Sequence, residues 1–268
     1  MQYQERFSET HGAEMYDAAS RELKAAKVIA ILEDALGDLR SLRLLDLGCS
    51  NGLMTRFYGE RFKSVIGIDF DQPGIEYAIA NNRSPNIEYR VGDAMATGLP
   101  GGSVDVVTCT HVYEHVPDAM RMMDEVYRVL RTGGACLFIA GNRLTLMEAD
   151  NHLPLLSLLP RPVAHRYVRL MRKGDRYYER TRTIWGLRRL AGRFELHDYT
   201  LRVVEDPVRF QATDVVAPGS SQQRIALLAL RRAYWLAPTY IWLLRKKGHA
   251  EPGPTVAPTT NSTGGPDA

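Results

Sequence analysis

The sequence predicts an α/β fold, a doubly wound and mostly parallel sheet with helices on both of its faces. Residues 44–52, LLDLGCSNG, are an apolar run that stops at an acid and breaks into a glycine turn. Residues 64–69, SVIGID, are a second apolar run, ending in an acid 21 residues after Gly48. Nearly continuous apolar runs are typical of strands buried on both faces, and their alternation with helical segments predicts a parallel sheet.

The elements follow in order along the chain. Apolar residues repeat at helical spacing from Ala18 to Leu39, which predicts a helix ahead of the first strand. Further helices are predicted at 53–60, 72–82, 118–130, 183–192 and 222–235, the third stopped by Thr132-Gly133-Gly134 and the fourth capped by Thr183. Strands are predicted within 44–52 and at 64–69, 86–95, 104–112, 134–141, 194–204 and 239–246.

The charge at the end of the first strand indicates which ligand the glycine turn suits. In dinucleotide folds a pyrophosphate lies where the first strand meets its helix, and a carboxylate at Asp46 would repel it. S-adenosylmethionine has no phosphate and carries an ammonium and a sulfonium, which an acid attracts. Ser50 stands where the second glycine of a G-x-G-x-x-G pattern would be, so the spacing also argues against NAD.

Polar and aromatic residues at the next two strand ends fit the rest of a nucleoside. A carboxylate at Asp69 can accept hydrogen bonds from both hydroxyls of a ribose, and Phe70 can lie against a purine face. Asp93 ends the third predicted strand and can accept a hydrogen bond from an adenine amino group. These residues therefore predict a nucleoside site at the carboxyl edge of the sheet.

Five segments within about residues 43–142 resemble the class I S-adenosylmethionine-dependent methyltransferases, nearest the broad type 11 small-molecule group: LLDLGCSNG, GIDFD, VGDAMATGLP, VDVVTCTHVYEHVPD and RVLRTGG. The resemblance implies a Rossmann-like seven-stranded sheet with an antiparallel last strand and insertions after strands five and six. It also implies which residues bind the cofactor: Asp46, Gly48 and Gly52 around the methionine part, Asp69 on the ribose, Asp93 with Ala94 at the adenine, and Thr110 lining the pocket. Ser50 replaces a third glycine that many members carry.

Composition indicates an ordinary cytoplasmic enzyme. The chain has 268 residues, 45% apolar and 24% charged, and its net charge of +3 does not by itself argue for nucleic-acid binding. Cys49, Cys109 and Cys136 fall in or beside predicted strands, which favours reduced core thiols over a disulfide or a metal site. The polar N-terminus lacks the apolar segment of a secretory signal, and no apolar run reaches the length of about 18 residues that spans a bilayer.

The chain divides into three parts. Residues 1–40 are predicted to hold a mobile N-terminal flap, up to about residue 15, and the first helix. Residues 41–246 form the methyltransferase domain, in which 143–182 and 206–238 break the regular alternation and are predicted insertions. Residues 247–268 are a predicted disordered tail, because they are rich in Pro, Gly, Thr and Ser and show no apolar periodicity.

Histidines after the fourth strand are the candidates for removing a proton from an oxygen or nitrogen acceptor. The stretch THVYEHV supplies His115 as the predicted general base and His111 as a second base or substrate-facing residue. The alternative is a structural histidine, hydrogen-bonded beneath the loop. His-x-x-Glu-His also resembles a metal constellation of some RNA-terminal methyltransferases, with His152 as a further ligand, but the sequence places no fourth ligand and we predict no metal.

The first insertion combines an apolar patch, Leu153–Leu159, with a basic stretch. Between Arg161 and Arg193 there are eleven Lys or Arg and two acids. Three interpretations compete: a lid helix with a solvated basic face, an element that lies on a membrane surface, and an RNA-binding face. The second insertion, rich in Leu, Trp and Tyr but interrupted by arginines, favours the membrane surface without allowing a crossing.

The sequence thus predicts a cytoplasmic methyltransferase, peripheral at the membrane, that uses S-adenosylmethionine to methylate a small-molecule acceptor of lipid-linked or glycan-like character. The alternatives are an RNA or protein methyltransferase that uses the basic insertion, and a non-enzymatic subunit that keeps the cofactor fold. The expected partners are the small molecule and an anionic membrane surface rather than nucleic acid. The oligomeric state and the acceptor atom stay open.

Overall fold

A computed structural model describes residues 16–148 and 151–248 of the chain. The predicted flap at 1–15 and the predicted tail beyond residue 248 lie outside these residues. Within them, the expected seven-stranded sheet with helices on both faces is confirmed. Cys49, Cys109 and Cys136 are buried free thiols.

The sheet has the strand order β3-β2-β1-β4-β5-β7-β6. Neighbouring strands pair in parallel except β7, which runs antiparallel to both β5 and β6, as predicted. The order reverses between β1 and β4, and ligands of such sheets bind outside the carboxyl ends of the strands at that point. The strands are β1 (Arg43–Leu47), β2 (Ser64–Asp69), β3 (Ile87–Val91), β4 (Val104–Thr110), β5 (Leu130–Gly141), β6 (Phe194–Asp198) and β7 (Thr239–Lys246).

Eight α-helices lie in the described residues: α1 (Ala18–Leu36), α2 (Leu53–Gly59), α3 (Gln72–Asn81), α4 (Ala119–Val129), α5 (Arg161–Leu170), α6 (Ile184–Leu190), α7 (Thr200–Glu205) and α8 (Ser221–Ala233). The Asp17 carboxylate caps α1 by accepting the Ser20 N–H at 3.2 Å, and Asp118 caps α4 in the same way. Helix α1 ends before the predicted Leu39, because Gly37 takes φ +77° and turns the chain out of the helix.

Two apolar layers cover the two faces of the sheet. On one face α4 and α6 pack against residues of β4, β5 and β7. On the other face α1, α2 and α7 pack against residues of β1, β2, β4 and β5. Because α1 belongs to the second layer, its N-terminal half reaches the carboxyl edge of the sheet and takes part in the site there.

The predicted sixth strand, 194–204, is wrong in its second half. Strand β6 ends at Asp198, and α7 begins at Thr200. The Asp198 carboxylate accepts the Thr200 N–H at 2.8 Å and starts the helix, while Thr200 and Val203 are buried at helical spacing. The alternation of apolar and polar residues over 194–204 does not mark buried strand positions here. Strand β6 is an edge strand that buries only Phe194. The third and fourth strands are also shorter than predicted, ending at Val91 and Thr110.

Both insertions carry helices with exposed apolar side chains. The first packs a small core of its own from Leu153, Leu156, Ala164, Val168 and Tyr177, while Leu155 and Leu158 remain exposed. In the second, α8 buries only Gln223 and leaves Ile225 and Leu228 exposed. No helix in the described part of the chain is both long and apolar enough to span a bilayer.

Candidate functional site

A cavity of about 700 Å³ lies at the carboxyl ends of β1, β2 and β4. Its volume falls in the range of about 300–1,000 Å³ that is usual for small-molecule sites. Seven of the nine residues predicted to bind a cofactor line it, and so do both predicted catalytic histidines: Asp46, Gly48, Ser50, Asp69, Phe70, Ala94, Thr110, His111 and His115. The structure therefore brings most of the predicted site together at the point where the strand order reverses.

The turn after β1 requires glycine at position 48. Gly48 has φ +79°, and a Cβ there would lie 2.4 Å from Val112 Cγ2. The Gly48 and Cys49 N–H groups both donate to the Ile68 carbonyl, at 2.8 and 3.2 Å, which ties the turn to β2. Ser50 also takes a positive φ, +51°, and its buried Oγ has no hydrogen-bond partner among residues 16–148 and 151–248. An orphaned hydroxyl on a cavity wall is suited to a ligand that supplies the missing partner.

Asp46 is a buried carboxylate held by two threonines. Its Oδ2 accepts from Thr55 Oγ1 at 2.6 Å, and its Oδ1 accepts from Thr108 Oγ1 at 2.8 Å. Burial raises the pKa of Asp46 to about 6, against the lowering effect of the two hydrogen bonds and with a further rise from the charge of Asp69. Each oxygen keeps acceptor capacity for a further donor, so a cationic group reaching Asp46 would find a partner there.

Asp69, the last residue of β2, is fixed by the backbone around it. Its Oδ2 accepts the Ser50 N–H at 2.8 Å, and its Oδ1 accepts the Asp71 N–H at 2.9 Å. Burial raises the pKa of Asp69 above its usual value, although both backbone hydrogen bonds lower it. Phe70 follows with 40% of its surface exposed, an uncommon state for a large apolar side chain at a cavity wall.

Two predicted cofactor residues do not line the cavity. Gly52 caps α2 at φ +72°, and a Cβ there would lie 2.8 Å from Ala78 Cβ and from the Tyr89 ring, so this glycine allows α2, α3 and β3 to pack. The Asp93 carboxylate accepts the Met95 N–H at 2.7 Å within a turn. The prediction placed Asp93 at a strand end facing the ligand, but β3 stops at Val91 and the chain turns before reaching it.

The loop after β4 carries a histidine–glutamate pair. His111 Nδ1 lies 3.1 Å from Glu114 Oε1, and the Glu114 side chain is only 5% exposed while that of His111 is 41% exposed. Burial favours the protonated acid, but the hydrogen bond to His111 and the nearby charges of His111 and His115 outweigh it and hold the pKa of Glu114 below its usual value. An ionised carboxylate only accepts a hydrogen bond, so Nδ1 is the donor of this pair, and when the ring is neutral its lone pair is on Nε2.

The first insertion is bonded to this loop. The Arg180 N–H donates to the Glu114 carbonyl at 2.7 Å, and the Arg182 N–H donates to Tyr113 Oη at 2.9 Å. Tyr113 in turn donates to the Gly141 carbonyl at the end of β5, at 2.6 Å. The position of His111 and Glu114 therefore depends on how the insertion packs.

Several wall residues were not predicted. They lie on α1 and on the second insertion or its flanks: Arg21, Lys24, Lys27, Val28, Ile31, Val203, Val215 and Ile241. The spacing of the basic residues on α1 was visible in the sequence, but nothing local shows which way that face of the helix turns. His152 also lines the cavity. Across residues 16–148 and 151–248, no three His, Cys, Asp or Glu side chains are grouped as metal ligands.

Comparisons with known proteins agree with this geometry. Residues 45–138 match the family described as a methyltransferase domain. A demethylmenaquinone methyltransferase of Lactococcus lactis subsp. lactis is 37% identical over 117 residues, 41% of this chain and 46% of that protein. A ubiquinone biosynthesis O-methyltransferase of Paracidovorax citrulli is 30% identical over 153 residues, 53% of this chain and 62% of that protein. The chain thus spans about half the length of the curated relatives it matches.

A solved structure shows the same fold. The S-adenosylmethionine dependent methyltransferase from Mesorhizobium loti aligns with a TM-score of 0.57 over 83% of this chain and 99% of that one, at 19% identity. The matched segment, 45–138, contains the glycine turn, Asp69 and the histidine loop. Residues 45–138 therefore match a methyltransferase domain, within a chain that has the fold of this solved structure.

Proposed function

We propose that the chain transfers a methyl group from S-adenosylmethionine to a small-molecule acceptor. The observation that carries this proposal is a pair of buried carboxylates, Asp46 and Asp69, on either side of the glycine turn in one cavity. Two carboxylates in a low-dielectric wall favour a cationic ligand over a pyrophosphate.

The residues present fit this ligand. Gly48 leaves room that a Cβ would fill, and Ser50 Oγ and Thr110 Oγ1 are buried hydroxyls with no hydrogen-bond partner in the described part of the chain. Asp46 would hold the ammonium of the methionine part, Asp69 the ribose hydroxyls, and Phe70 the purine face. When bound, S-adenosylmethionine supplies a methyl group on a sulfonium, which is already a good leaving group.

The protein's remaining contribution is positioning and proton removal. Orientation of the acceptor and exclusion of water account for much of the rate of such an in-line displacement. We assign the general base to His111, because Glu114 orients its ring through Nδ1 and the ring lines the cavity. His115 lines the same cavity and is the second candidate.

The acceptor is proposed to carry an apolar body. One end of the cavity is lined by Ile31, Ile139, Val203, Val215 and Ile241, which suit a hydrocarbon better than a sugar. Two relatives are named for demethylmenaquinone and ubiquinone biosynthesis, which supports a lipid-linked rather than a glycan-like acceptor.

Transfer of tritiated methyl from S-adenosylmethionine to a panel of phenols with and without alkyl chains tests this function. We expect label in the alkyl phenols, and a loss of about 10²-fold or more in Asp69→Ala, because the cofactor is then misplaced. Asp124→Ala removes an exposed acid paired with Arg193 and is the matched control, expected to retain activity. Failure of the wild-type protein to bind or use the donor would reject the proposal.

We also propose that the first insertion rests on an anionic membrane surface, from which such an acceptor would be reached. Leu146, Met147, Leu155 and Leu158 are exposed together with the basic side chains that follow them. Apolar side chains flanked by cations suit an interface of anionic headgroups. A membrane is favoured over RNA because the exposed face is apolar as well as basic.

Co-sedimentation with phosphatidylglycerol vesicles tests the membrane surface. Arg169→Glu/Arg172→Glu/Lys173→Glu should abolish binding, since it reverses three exposed charges of the insertion. Arg40→Glu/Lys63→Glu/Arg83→Glu makes the same charge change on exposed residues outside the insertion and should bind nearly as wild type. Equal loss in both variants would show a general charge effect, and salt-sensitive RNA binding by the insertion would favour the alternative.

A further inference from the structure

Tyr113, in the loop after β4, bonds to two other parts of the chain. Its side chain is fully buried, and its ring centre lies 5.8 Å from that of Phe138 on β5. Its Oη donates to the Gly141 carbonyl at 2.6 Å and accepts the Arg182 N–H at 2.9 Å. Burial raises the pKa of Tyr113, and the charge of Glu114 raises it further, so the phenol keeps the proton that it donates. One hydroxyl therefore bonds the loop both to the end of β5 and to the first insertion.

The backbone of the first insertion is bonded to the same strand end and to the same loop. The Arg143 N–H donates to the Arg182 carbonyl at 2.9 Å, and the Arg180 N–H donates to the Glu114 carbonyl at 2.7 Å. Arg182 is thus held at its carbonyl by the chain after β5 and at its N–H by Tyr113. The loop, the end of β5 and the insertion all meet at Tyr113.

The strand end that Tyr113 holds also borders the histidine–glutamate pair. A Cβ at Gly141 would lie 3.5 Å from Glu114 Oε1 and 3.9 Å from His111 Nδ1. The His111 N–H donates to the Ile139 carbonyl, two residues earlier on β5, at 2.9 Å. Because the pair packs on this strand end, a shift of Gly141 relative to the loop would change the contact between Glu114 and His111. The Tyr113 hydroxyl resists such a shift.

We propose that Tyr113 is a positioning residue for the general base: its hydroxyl keeps the Glu114–His111 pair in place by bonding the loop to Gly141 and to the first insertion. Tyr113 is not among the described residues that line the cavity, whereas His111 is, so Tyr113 acts through the residues that it holds. This inference rests on the proposed function and adds that packing of the insertion sets the orientation of the base.

Tyr113→Phe tests the proposal, because it removes one oxygen and keeps the ring. We expect kcat for an alkyl phenol to fall by about tenfold, with unchanged affinity for S-adenosylhomocysteine and unchanged KM for the phenol, since a misplaced base costs rate rather than binding. The acid limb of the kcat–pH profile should move to lower pH, because a carboxylate farther from an imidazole stabilises its protonated form less.

Tyr177→Phe is the matched control. The Tyr177 hydroxyl lies 3.2 Å from Ser157 Oγ within the small core of the insertion, so the change removes a buried hydroxyl of the same insertion without touching the loop. Its kcat and pH profile should stay as in the wild-type protein.

A double-variant cycle separates positioning from a general loss of structure. In the His111→Ala background, Tyr113→Phe should change kcat by less than about twofold, because the residue that it positions is gone. A purely structural role predicts the same loss of about tenfold in both backgrounds.

Three results would overturn the inference: an unchanged kcat in Tyr113→Phe, an equal loss in Tyr177→Phe, or an equal loss in the His111→Ala background. If Tyr113→Phe does not fold, Arg180→Ala tests the same loop, because it removes the bond from Arg180 Nη1 to the Pro117 carbonyl at 2.9 Å. Its kcat should fall with the same shift of the acid limb, and an unchanged profile would overturn the inference. Failure of the proposed function shows separately, as no binding of S-adenosylhomocysteine to the wild-type protein.

Discussion

The preference of the site for a cationic ligand depends mostly on Asp46 and on the groups that surround it. The Thr55 and Thr108 hydroxyls satisfy one position on each oxygen, so the carboxylate stays in place while burial keeps the pKa near 6. A cationic ligand binds the ionised form, whereas protons compete for it at acid pH. Binding at this residue therefore depends on pH within an accessible range.

Affinity for S-adenosylhomocysteine should be nearly constant above pH 6 and fall by up to about tenfold per pH unit below it. The affinity falls at acid pH because protonated Asp46 has lost the charge that attracts the ammonium. Asp46→Asn should bind more weakly and lose most of this dependence. Calorimetry from pH 5 to pH 8 measures it, with Asp124→Asn as control, and an unchanged pH profile in Asp46→Asn would contradict the assignment.

His111 is held both by a side-chain contact and by its backbone. Glu114 is buried against His111 and stays ionised, so its contact with Nδ1 orients the imidazole. The backbone also fixes His111, which takes φ +54° and donates its N–H to the Ile139 carbonyl at 2.9 Å. A strained and doubly held residue at a cavity wall points to function.

His111→Ala should lower turnover by about 10²-fold or more without weakening S-adenosylhomocysteine binding, because a general base acts only on the acceptor proton. Glu114→Gln should lower turnover less and alter the pH dependence of kcat, whereas Glu114→Asp should recover part of the activity. If His115→Ala causes the large loss and His111→Ala does not, the base is His115.

Residues next to apolar runs were predictable, and those brought in by packing were not. Asp46, Gly48 and Asp69 follow strands whose ends meet at one edge of the sheet, so their positions follow from the sequence. The Glu114–His111 contact depends on the path of a loop, and the cations of α1 depend on which face that helix turns inward. Asp93 stays a prediction as a cofactor residue, but it lies in a turn rather than at a strand end, because the strand before it is shorter than its sequence pattern indicates.

Among the elements, α1 is the one that joins the site to the rest of the molecule. Asp34 near its C-terminal end accepts from Tyr199 Oη at 2.8 Å and from Arg202 at 2.8 Å, and also pairs with Arg209. Its side chain is only 5% exposed. These contacts hold α1 against α7 and the following loop. All three contribute residues to the cavity wall.

Asp34→Asn should lower the free energy of unfolding by about 2 kcal/mol, because hydrogen bonds from Tyr199 and two arginines to a charged group are weakened or lost. The exposed pair tested by Asp124→Asn should contribute less than about 1 kcal/mol. The pKa of Asp34 lies below its usual value, so its contribution is present near neutral pH and is lost as the pH falls through that value. Urea titrations at pH 7 and pH 4 measure both effects. An equal loss of unfolding free energy in Asp34→Asn and Asp124→Asn would contradict the stabilising role of Asp34.

At the level of elements, the pattern of β-strands and helices was predictable through β5. Beyond it, β7 matches its predicted bounds, but the second half of the predicted sixth strand is wrong because an edge strand buries little, and the first insertion packs a small core of its own outside the sheet. The α7 helix illustrates this, since its apolar residues satisfy both an alternating and a helical spacing and only the contact with α1 decides.

Across the whole molecule, one cavity joins three regions of the chain: the strand ends, α1 and the second insertion. The strand ends supply the carboxylates, α1 supplies cations, and the segment from Val203 to Ile241 supplies apolar wall. We propose that the cationic nucleoside and the acceptor lie side by side in this cavity, the arrangement that methyl transfer requires.

Parallel calorimetric titrations of the purified protein with S-adenosylhomocysteine and with NAD⁺ test the central claim most directly. We predict saturable binding of S-adenosylhomocysteine, lost in Asp69→Ala, and no binding of NAD⁺, because Asp46 beside the glycine turn repels its pyrophosphate. Binding of NAD⁺ without binding of S-adenosylhomocysteine would contradict it.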